Sequence, residues 1–294
     1  MQVSVIIVSY NCKKYVVECI KSILEYTKGV QYEIIVVDNN SIDNIEEDLL
    51  NTFQNVLFLK SKYNGGFGYA NNIGLSKARG EYVFFLNPDT LLLNDTCKIL
   101  YDFLEKNINV AAVGARVFDE KHNNQISYGR FPSVTQYLLE VFPLKIIPKD
   151  IKINKSSEGF ISDDDNDVDV DFISGADLFV RKSVLDQIGY FDEKFFLFFE
   201  EVDLCRRIKM AGYDLKIITE ARIIHLMGQT MKISFQKFKW FEESRYIFLK
   251  KYYSQSFILF SKGIFIFRYV FLWIKHRDNE WRQRANFIFK LKLK

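Results

Sequence analysis

The residues best suited to chemistry in this chain are acids placed where strands end. Val83-Phe84-Phe85-Leu86 is an apolar run fit for a strand covered on both faces, and it stops at Asn87-Pro88-Asp89-Thr90, leaving the lone carboxylate of Asp89 on a turn. Open α/β sheets bind their ligands at the carboxyl ends of their strands. An acid there with no basic neighbour in sequence suits a divalent cation that carries a phosphorylated substrate. Taken alone, the same octapeptide also reads as a turn aspartate that merely ends a strand. A second group of acids, Glu200, Glu201 and Asp203, follows Phe195-Phe196-Leu197-Phe198-Phe199 at the expected start of a helix, where the helix dipole favours carboxylates. With Val202, Cys205, Ile208 and Met210 as an apolar stripe and Arg206 and Arg207 beyond, that stretch also describes an ordinary amphipathic helix.

The elements that must position these acids repeat from the first residues. Val3–Val8 is a strand that stops at Ser9-Tyr10-Asn11, and Glu33–Val37 is a strand that stops at Asp38-Asn39-Asn40-Ser41. Each leads into helical spacing, Tyr15, Cys19, Ile23 and Tyr26 after the first and Ile45, Leu49 and Leu50 after the second. Strand, polar end and helix in repetition predict a parallel, doubly wound sheet. A third strand near Val56–Leu59 runs into Asn64-Gly65-Gly66-Phe67-Gly68-Tyr69-Ala70-Asn71-Asn72-Ile73-Gly74, where glycines permit close backbone approach and the amides opening a helix face an anion. The glycine spacing is neither that of the dinucleotide fingerprint nor that of the P-loop, and no Lys-Ser/Thr pair closes it. An NAD enzyme and an ATPase are therefore not the reading.

In these stretches the chain resembles an inverting, family 2 nucleotide-sugar glycosyltransferase of GT-A fold, and within that family it is similar to the rhamnosyltransferase-like enzymes that build bacterial surface polysaccharides. The matching segments are Ser4–Asn11, Val36–Ser41, Asn64–Gly74, Phe84–Thr90, Ser174–Arg181, Phe191–Arg206 and the neighbourhood of His225, in the family's order over about residues 1 to 250. The resemblance implies an α/β fold with a mainly parallel central sheet flanked by helices. Its domains are a catalytic domain over 1–230 (a nucleotide half to about 115, an acceptor and catalytic half beyond) and a basic, aromatic-rich helical extension over 231–294.

The resemblance also implies roles. Asp38 accepts a hydrogen bond from the ring N–H of uracil or thymine, although Asp38-Asn39-Asn40-Ser41 is equally a capping sequence. Ser9, Tyr10, Asn11 and Asn40 border base and ribose, Asn64, Gly66 and Asn71 line nucleotide and sugar, and Asn87 and Pro88 flank the donor. Asp89 matches the last acid of the family's metal motif, with Asn87 where the first acid stands, and His225 is the second protein ligand of a magnesium or manganese ion. In the family's Glu-Asp pair the second acid is the general base, which maps to Glu201; here the Asp has become Glu, and Glu200 or Asp203 shares the task. Gly175 and Ala176 lie near sugar and acceptor, and Asp177 touches a sugar hydroxyl. The implied partners are a UDP- or dTDP-sugar and a saccharide or lipid-linked saccharide.

Composition narrows the class further. A chain of 294 residues with 48% hydrophobic content can bury a full core. A net charge of +3 gives no footprint for nucleic acid. Cys12, Cys19, Cys97 and Cys205 lack the spacing of a disulfide or zinc framework, and with a first strand at Val3 a cytoplasmic enzyme at the inner face of the membrane is expected. The acidic run Asp163–Asp171 has Val168 where an EF-hand needs glycine, so it reads as a solvated loop. Residues 118–167, with Pro132, Pro143 and Pro148, are expected to be acceptor-side loops. After Met231, cations interleave with aromatics, and Phe257–Ile274 is apolar apart from Lys262 and Arg268. Two central cations disfavour a span, leaving a helix lying in a membrane interface or a helical pair packed in the protein or against a second copy. Three other classes fit less well. Gln236-Lys237-Phe238-Lys239-Trp240 departs from the Gln-x-x-Arg-Trp of processive synthases, Ser9-Tyr10-Asn11 is not the loop of a nucleotidyltransferase, and a binding protein has no need of Asp89, Glu201 and His225 together.

Overall fold

The computed structural model describes residues 1–141, 158–159, 166–226 and 234–291. The chain divides into two compact units. The larger holds Met1–Arg130, Glu158–Phe196 and Glu200–Lys232, and the smaller holds Phe131–Ser157, Leu197–Phe199 and Ile233–Lys294. Set against an expected boundary near residue 230, two earlier segments also belong to the C-terminal unit. The middle of the 118–167 region, where acceptor-side loops are expected, lies largely outside the described residues.

In the larger unit, β1 (Val3–Ser9), α1 (Lys13–Tyr26), β2 (Tyr32–Asp38), α2 (Ile45–Thr52), β3 (Val56–Lys60), α3 (Phe67–Leu75) and β4 (Tyr82–Leu86) follow the alternation legible in the sequence. They lead into β5 (Thr90–Leu92), α4 (Thr96–Lys106), β6 (Val110–Phe118) and β7 (Tyr128–Gly129). Strands β1 and β4 are buried along their whole length, so both faces need cover. Val3, Val5 and Ile7 point into a core built with α1, α2 and α4, whereas Ile6 and Val8 point into a second core on the opposite face. This period of two is what lets one strand serve two helical layers.

After α5 (Val134–Val141) in the smaller unit, the larger one resumes with β8 (Glu158–Gly159), β9 (Val168–Asp169), β10 (Phe172–Ile173), β11 (Asp177–Arg181), α6 (Lys182–Ile188), α7 (Glu200–Met210) and β12 (Asp214–His225). The main sheet runs β3-β2-β1-β4-β11-β6-β12-β5, with β9 on β12, and β10-β7-β8 form a small second sheet. The expected parallel arrangement holds for β3, β2, β1 and β4. β11 then enters antiparallel to both β4 and β6, which makes the whole sheet mixed. On α7, Val202, Cys205 and Ile208 are buried as the stripe requires, but Met210 is 68% exposed because the helix ends there. Part of the acidic run is strand: Val168 and Val170 turn inward while Asp169 pairs with Lys216 at 2.9 Å.

The smaller unit adds α8 (Phe235–Tyr252), α9 (Gln255–His276) and α10 (Asn279–Lys290) to α5. Ser234, Ser254 and Asp278 cap their N-termini by accepting from backbone N–H groups. Within it Arg245 and Glu242 are both buried and ion-paired, with the Arg245 guanidinium 3.8 Å above the Phe265 ring. Phe198 and Phe199, at positive φ of 70° and 67°, pack on Phe241 of α8.

Glu33 ties the parallel strands together by accepting from Ser4 Oγ at 2.7 Å and from Arg79 N, Nε and Nη2 at 2.7, 2.8 and 2.6 Å. Burial alone raises its pKa, but these donors outweigh burial and hold it below the ordinary 4.5. Glu33→Gln is expected to cost about 1–2 kcal/mol, since the exposed Arg79 is partly screened. The lowered pKa makes the contribution complete above the ordinary value and lost as pH falls through the native one, so the gap between wild-type and variant urea midpoints should close on acidification.

Candidate active site

Register places the site. Ser9 is opposite Asp38 and Ile7 opposite Leu86, so the ends of β1, β2 and β4 open on one edge. Asp177 of β11 is opposite Leu86, which brings Ser174-Gly175-Ala176 to that edge from the other direction. His225, the last residue of β12, is opposite Thr90 of β5. Asp89 and His225, far apart in sequence, therefore meet: His225 Nε2 is 3.3 Å from Asp89 Oδ1, and the Asn87 carboxamide is 3.4 Å from the same nitrogen. The Asn87-to-Thr90 turn is fixed by Asn87 N–H donating to Ala176 C=O at 2.9 Å, Thr90 Oγ1 to Asn87 C=O at 2.7 Å and Leu226 N–H to Asp89 C=O at 2.9 Å. Cys19 of α1 sits against it, its Sγ 3.7 Å from Thr90 Oγ1.

This donor set fits a hard divalent ion. Neighbouring ligand atoms of an octahedral ion with bonds of about 2.1 Å lie about 3.0 Å apart, close to the separation of Asp89 Oδ1 and His225 Nε2. Among the described residues no group of three or more His, Cys, Asp or Glu side chains is placed to hold a metal.

The acids at the start of α7 separate by environment. Glu201 is half-buried and faces Gly175: a Cβ built on that glycine would lie 3.6 Å from Glu201 Cδ and 3.8 Å from Oε1. Glu200 is buried, its Oε2 accepts no hydrogen bond among the described residues, and burial followed by the adjacent Glu201 charge pushes its pKa well above the carboxylate range. Asp203 is buried and paired with Arg207 Nε at 2.9 Å, and Arg207 in turn donates to the carbonyls of Ile188, Gly189 and Tyr190. The structure thus gives Asp203 an architectural partner and leaves Glu201 beside the Gly175 backbone. Asp177 is fully buried, with its Oδ2 accepting from Ala115 N–H. Burial raises its pKa strongly. All four cysteines are free and buried, and burial pushes Cys19, Cys97 and Cys205 up to about 12, so none supplies a thiolate nucleophile.

On the nucleotide side, buried Asp38 accepts from Ser41 N–H at 3.1 Å, while Tyr10 is exposed beside it in the adjoining strand end. Asn11 (φ 54°) joins the two strand ends: its N–H donates to Ser41 Oγ at 3.0 Å and its Oδ1 accepts from Ile42 N–H at 2.9 Å. The glycine-rich loop is held by Asn39, which donates to Asn64 Oδ1 at 2.9 Å and Gly66 C=O at 3.1 Å and accepts from Gly65 N–H. Gly66, at φ 92°, packs so tightly on the Phe196 carbonyl that a side chain has no room. Pro88 lies in the metal turn, Asn71 is buried and donates to Phe67 C=O within α3, and Asn40 is exposed at φ 64°. Asn39 is the residue the sequence reading passed over in favour of Asn40. Its only signal is a place one step beyond Asp38, and the exposed neighbour has the same side chain.

The profile of Glycosyl transferase family 2 matches residues 4–189, more than half of the chain, which belongs to that family. Rhamnosyltransferase WbbL of Escherichia coli (strain K12) is 27% identical over 260 residues, covering 85% of this chain and 93% of that protein. Glycosyltransferase GlyG of Streptococcus pneumoniae serotype 4 is 34% identical over 131 residues, 43% of each chain. The crystal structure of GalNAc-T7 with UDP, GalNAc and Mn2+ superposes with a TM-score of 0.58 at 14% identity, covering 83% of this chain and 48% of that one. At that identity the likeness shows the fold, a GT-A-like mixed sheet flanked by helices.

Glu200 yields a prediction. A raised native pKa means that above the ordinary 4.5 the unfolded chain ionises first, so the group subtracts stability as pH rises. Glu200→Gln should raise the melting temperature at neutral pH, and the gain should vanish on titrating below about pH 4.5.

Proposed function

We propose that this family 2 glycosyltransferase moves a sugar with inversion from a pyrimidine nucleoside diphosphate to a saccharide or lipid-linked saccharide in polysaccharide synthesis. The observation that carries the reading is the convergence of Asp89, His225, Asn87 and the Gly175–Glu201 contact on one edge of the sheet. The similarity to WbbL makes dTDP-rhamnose a donor to test first.

In this reading Asp38 accepts from the N–H of the pyrimidine ring, Ser9, Tyr10, Asn11 and Asn40 border base and ribose, and the loop held by Asn39 and Asn64 cradles the rest of the donor. Asp89 and His225 would hold a magnesium or manganese ion, which would supply charge neutralisation for the departing diphosphate. Glu201 takes the proton of the acceptor hydroxyl as that oxygen bonds to the anomeric carbon and the bond from carbon to phosphate oxygen breaks, releasing the nucleoside diphosphate. Glu200, buried beside Glu201, is held toward its protonated form. The extra methylene of Glu201 relative to Asp lets it reach across the uncluttered Gly175 backbone.

Purified protein screened against UDP-, dTDP- and GDP-sugars with and without manganese tests the proposal. One pyrimidine donor should stabilise the fold in a metal-dependent way and yield its nucleoside diphosphate. Glu201→Gln should lower turnover by about 10² to 10⁴ with donor binding retained, and Asp89→Asn or His225→Ala should remove the metal-dependent part of the thermal shift. Release of pyrophosphate instead, or donor binding with no transfer to any acceptor or water, overturns the reading.

A further inference from the structure

The stretch from Ile188 to Phe196 brings the chain back toward the acids of α7, and α3 grips it at two points. At its end, Phe67 N–H, which opens α3, donates to Phe196 C=O at 3.1 Å, the carbonyl on which Gly66 packs. In its middle, Asn72 takes hold of Phe191 in both directions: Nδ2 donates to Phe191 C=O at 3.0 Å, and Oδ1 accepts from Phe191 N–H at 3.1 Å. Asn72 Nδ2 also donates to Glu193 Oε1 at 3.0 Å. The grip needs an acceptor and a donor on one planar head, which a carboxamide has and an ionised carboxylate of the same shape lacks. Asn71, next in the chain, has the same side chain but uses it within α3, on Phe67 C=O.

Asn72 and Gly68 stand one turn apart on the same face of α3. A Cβ on Gly68 would lie 3.0 Å from Phe191 Cβ and 3.6 Å from Glu200 Cβ, so this face meets both the gripped residue and the head of α7. Phe191 is buried, its ring 4.9 Å from that of Phe85 in β4 and 6.2 Å from that of Phe67. The helix is seated closely on the sheet at its other end, where a Cβ on Gly74 would lie 2.6 Å from Ile6 Cγ2. Asn72 thus ties the approach to α7 to an element with a firm seat.

The same helix begins at the glycine-rich loop that Asn39 and Asn64 hold. One short helix therefore joins the loop assigned to the donor to the stretch that leads to Glu201. A general base works within hydrogen-bond reach of the proton it takes, and a misplacement of about 1 Å costs up to about 10²-fold in rate.

We propose that Asn72 is a positioning residue, which through Phe191 sets the approach to α7 and so places the Glu201 carboxylate relative to a donor held by the glycine-rich loop. The proposal rests on the glycosyl-transfer reading and adds to it a residue that acts through another. Asn72→Asp keeps the shape of the side chain but turns a carboxylate oxygen toward Phe191 C=O and Glu193. Turnover is measured on the full chain with manganese and the pyrimidine nucleotide-sugar that the wild type consumes, dTDP-rhamnose first. Asn72→Asp should lower kcat about tenfold or more and leave the KM for donor within about threefold. In a Glu201→Gln background the same change should alter kcat less than about twofold, since no base is left to place. Hydrogen exchange reads the grip without substrate: Asn72→Ala should speed exchange of the Phe191 amide about tenfold or more, with the amides of β4 protected as in the wild type. Wild-type kcat in Asn72→Asp, an equal loss in both backgrounds, an unchanged Phe191 amide, or loss of β4 protection along with it overturns the proposal. A wild type that turns over no donor overturns the glycosyl-transfer reading and the proposal with it, whereas an active wild type matched by Asn72→Asp overturns the proposal alone.

Discussion

The turn from Asn87 to Thr90 is the constraint on which the site depends. It ends a strand buried on both faces, and its few backbone groups are shared with three other parts of the chain. Ala176 accepts from it on one side, Leu226 donates to it on the other, Cys19 packs beneath it, and the Thr90 hydroxyl closes it on the Asn87 carbonyl. Because β11 and β12 arrive antiparallel to β4 and β5, their ends meet the turn directly, which is how Ala176 comes to accept from Asn87 N–H and His225 comes within 3.3 Å of Asp89. A purely parallel sheet would bring each new residue to the edge only through another crossover helix. Its mixed character is what assembles the second half of the site.

Burial sorts the three acids at the head of α7, which the sequence presents as near equals. One faces the acceptor-side loop, one is sealed off and held toward its neutral form, and one is bound to Arg207. Arg207 uses its remaining donors on the carbonyls at residues 188 to 190, and so anchors the start of the loop that leads back to the acids. The same helix therefore carries Glu201 and, through Arg207, the brace for the loop that precedes it. Two like charges in adjacent positions raise each other's proton affinity, and burial adds to that effect at Glu200.

What was legible in the sequence follows from what is local. Apolar runs ending in polar triplets gave β1, β2 and β4 and the edge where Asp38 and Asp89 stand, because period and punctuation are properties of a few consecutive residues. The antiparallel entry of β11 was not legible, since a short apolar strand carries no mark of direction. Nor were Asn39 as the clamp of the glycine-rich loop, the burial of Asp177, or the exposure of Met210, each decided by partners distant in sequence. Asp203 shows the limit well. Its i to i+4 spacing from Arg207 was visible, but only the packed structure shows that Arg207 is also committed to three carbonyls and that Asp203 lies wholly inside.

The substitution of Asn87 for an acid has an electrostatic consequence within the proposed mechanism. In that mechanism Asp89 would supply one carboxylate and His225 one ring nitrogen, so a divalent ion held there would still attract a diphosphate. Each then strengthens the other's binding by the same factor, since coupling between two ligands is reciprocal. A site with two carboxylates would hold the ion more tightly alone and gain less from the donor. With one, metal affinity would lean on the donor diphosphate, and metal and donor would bind as a coupled pair.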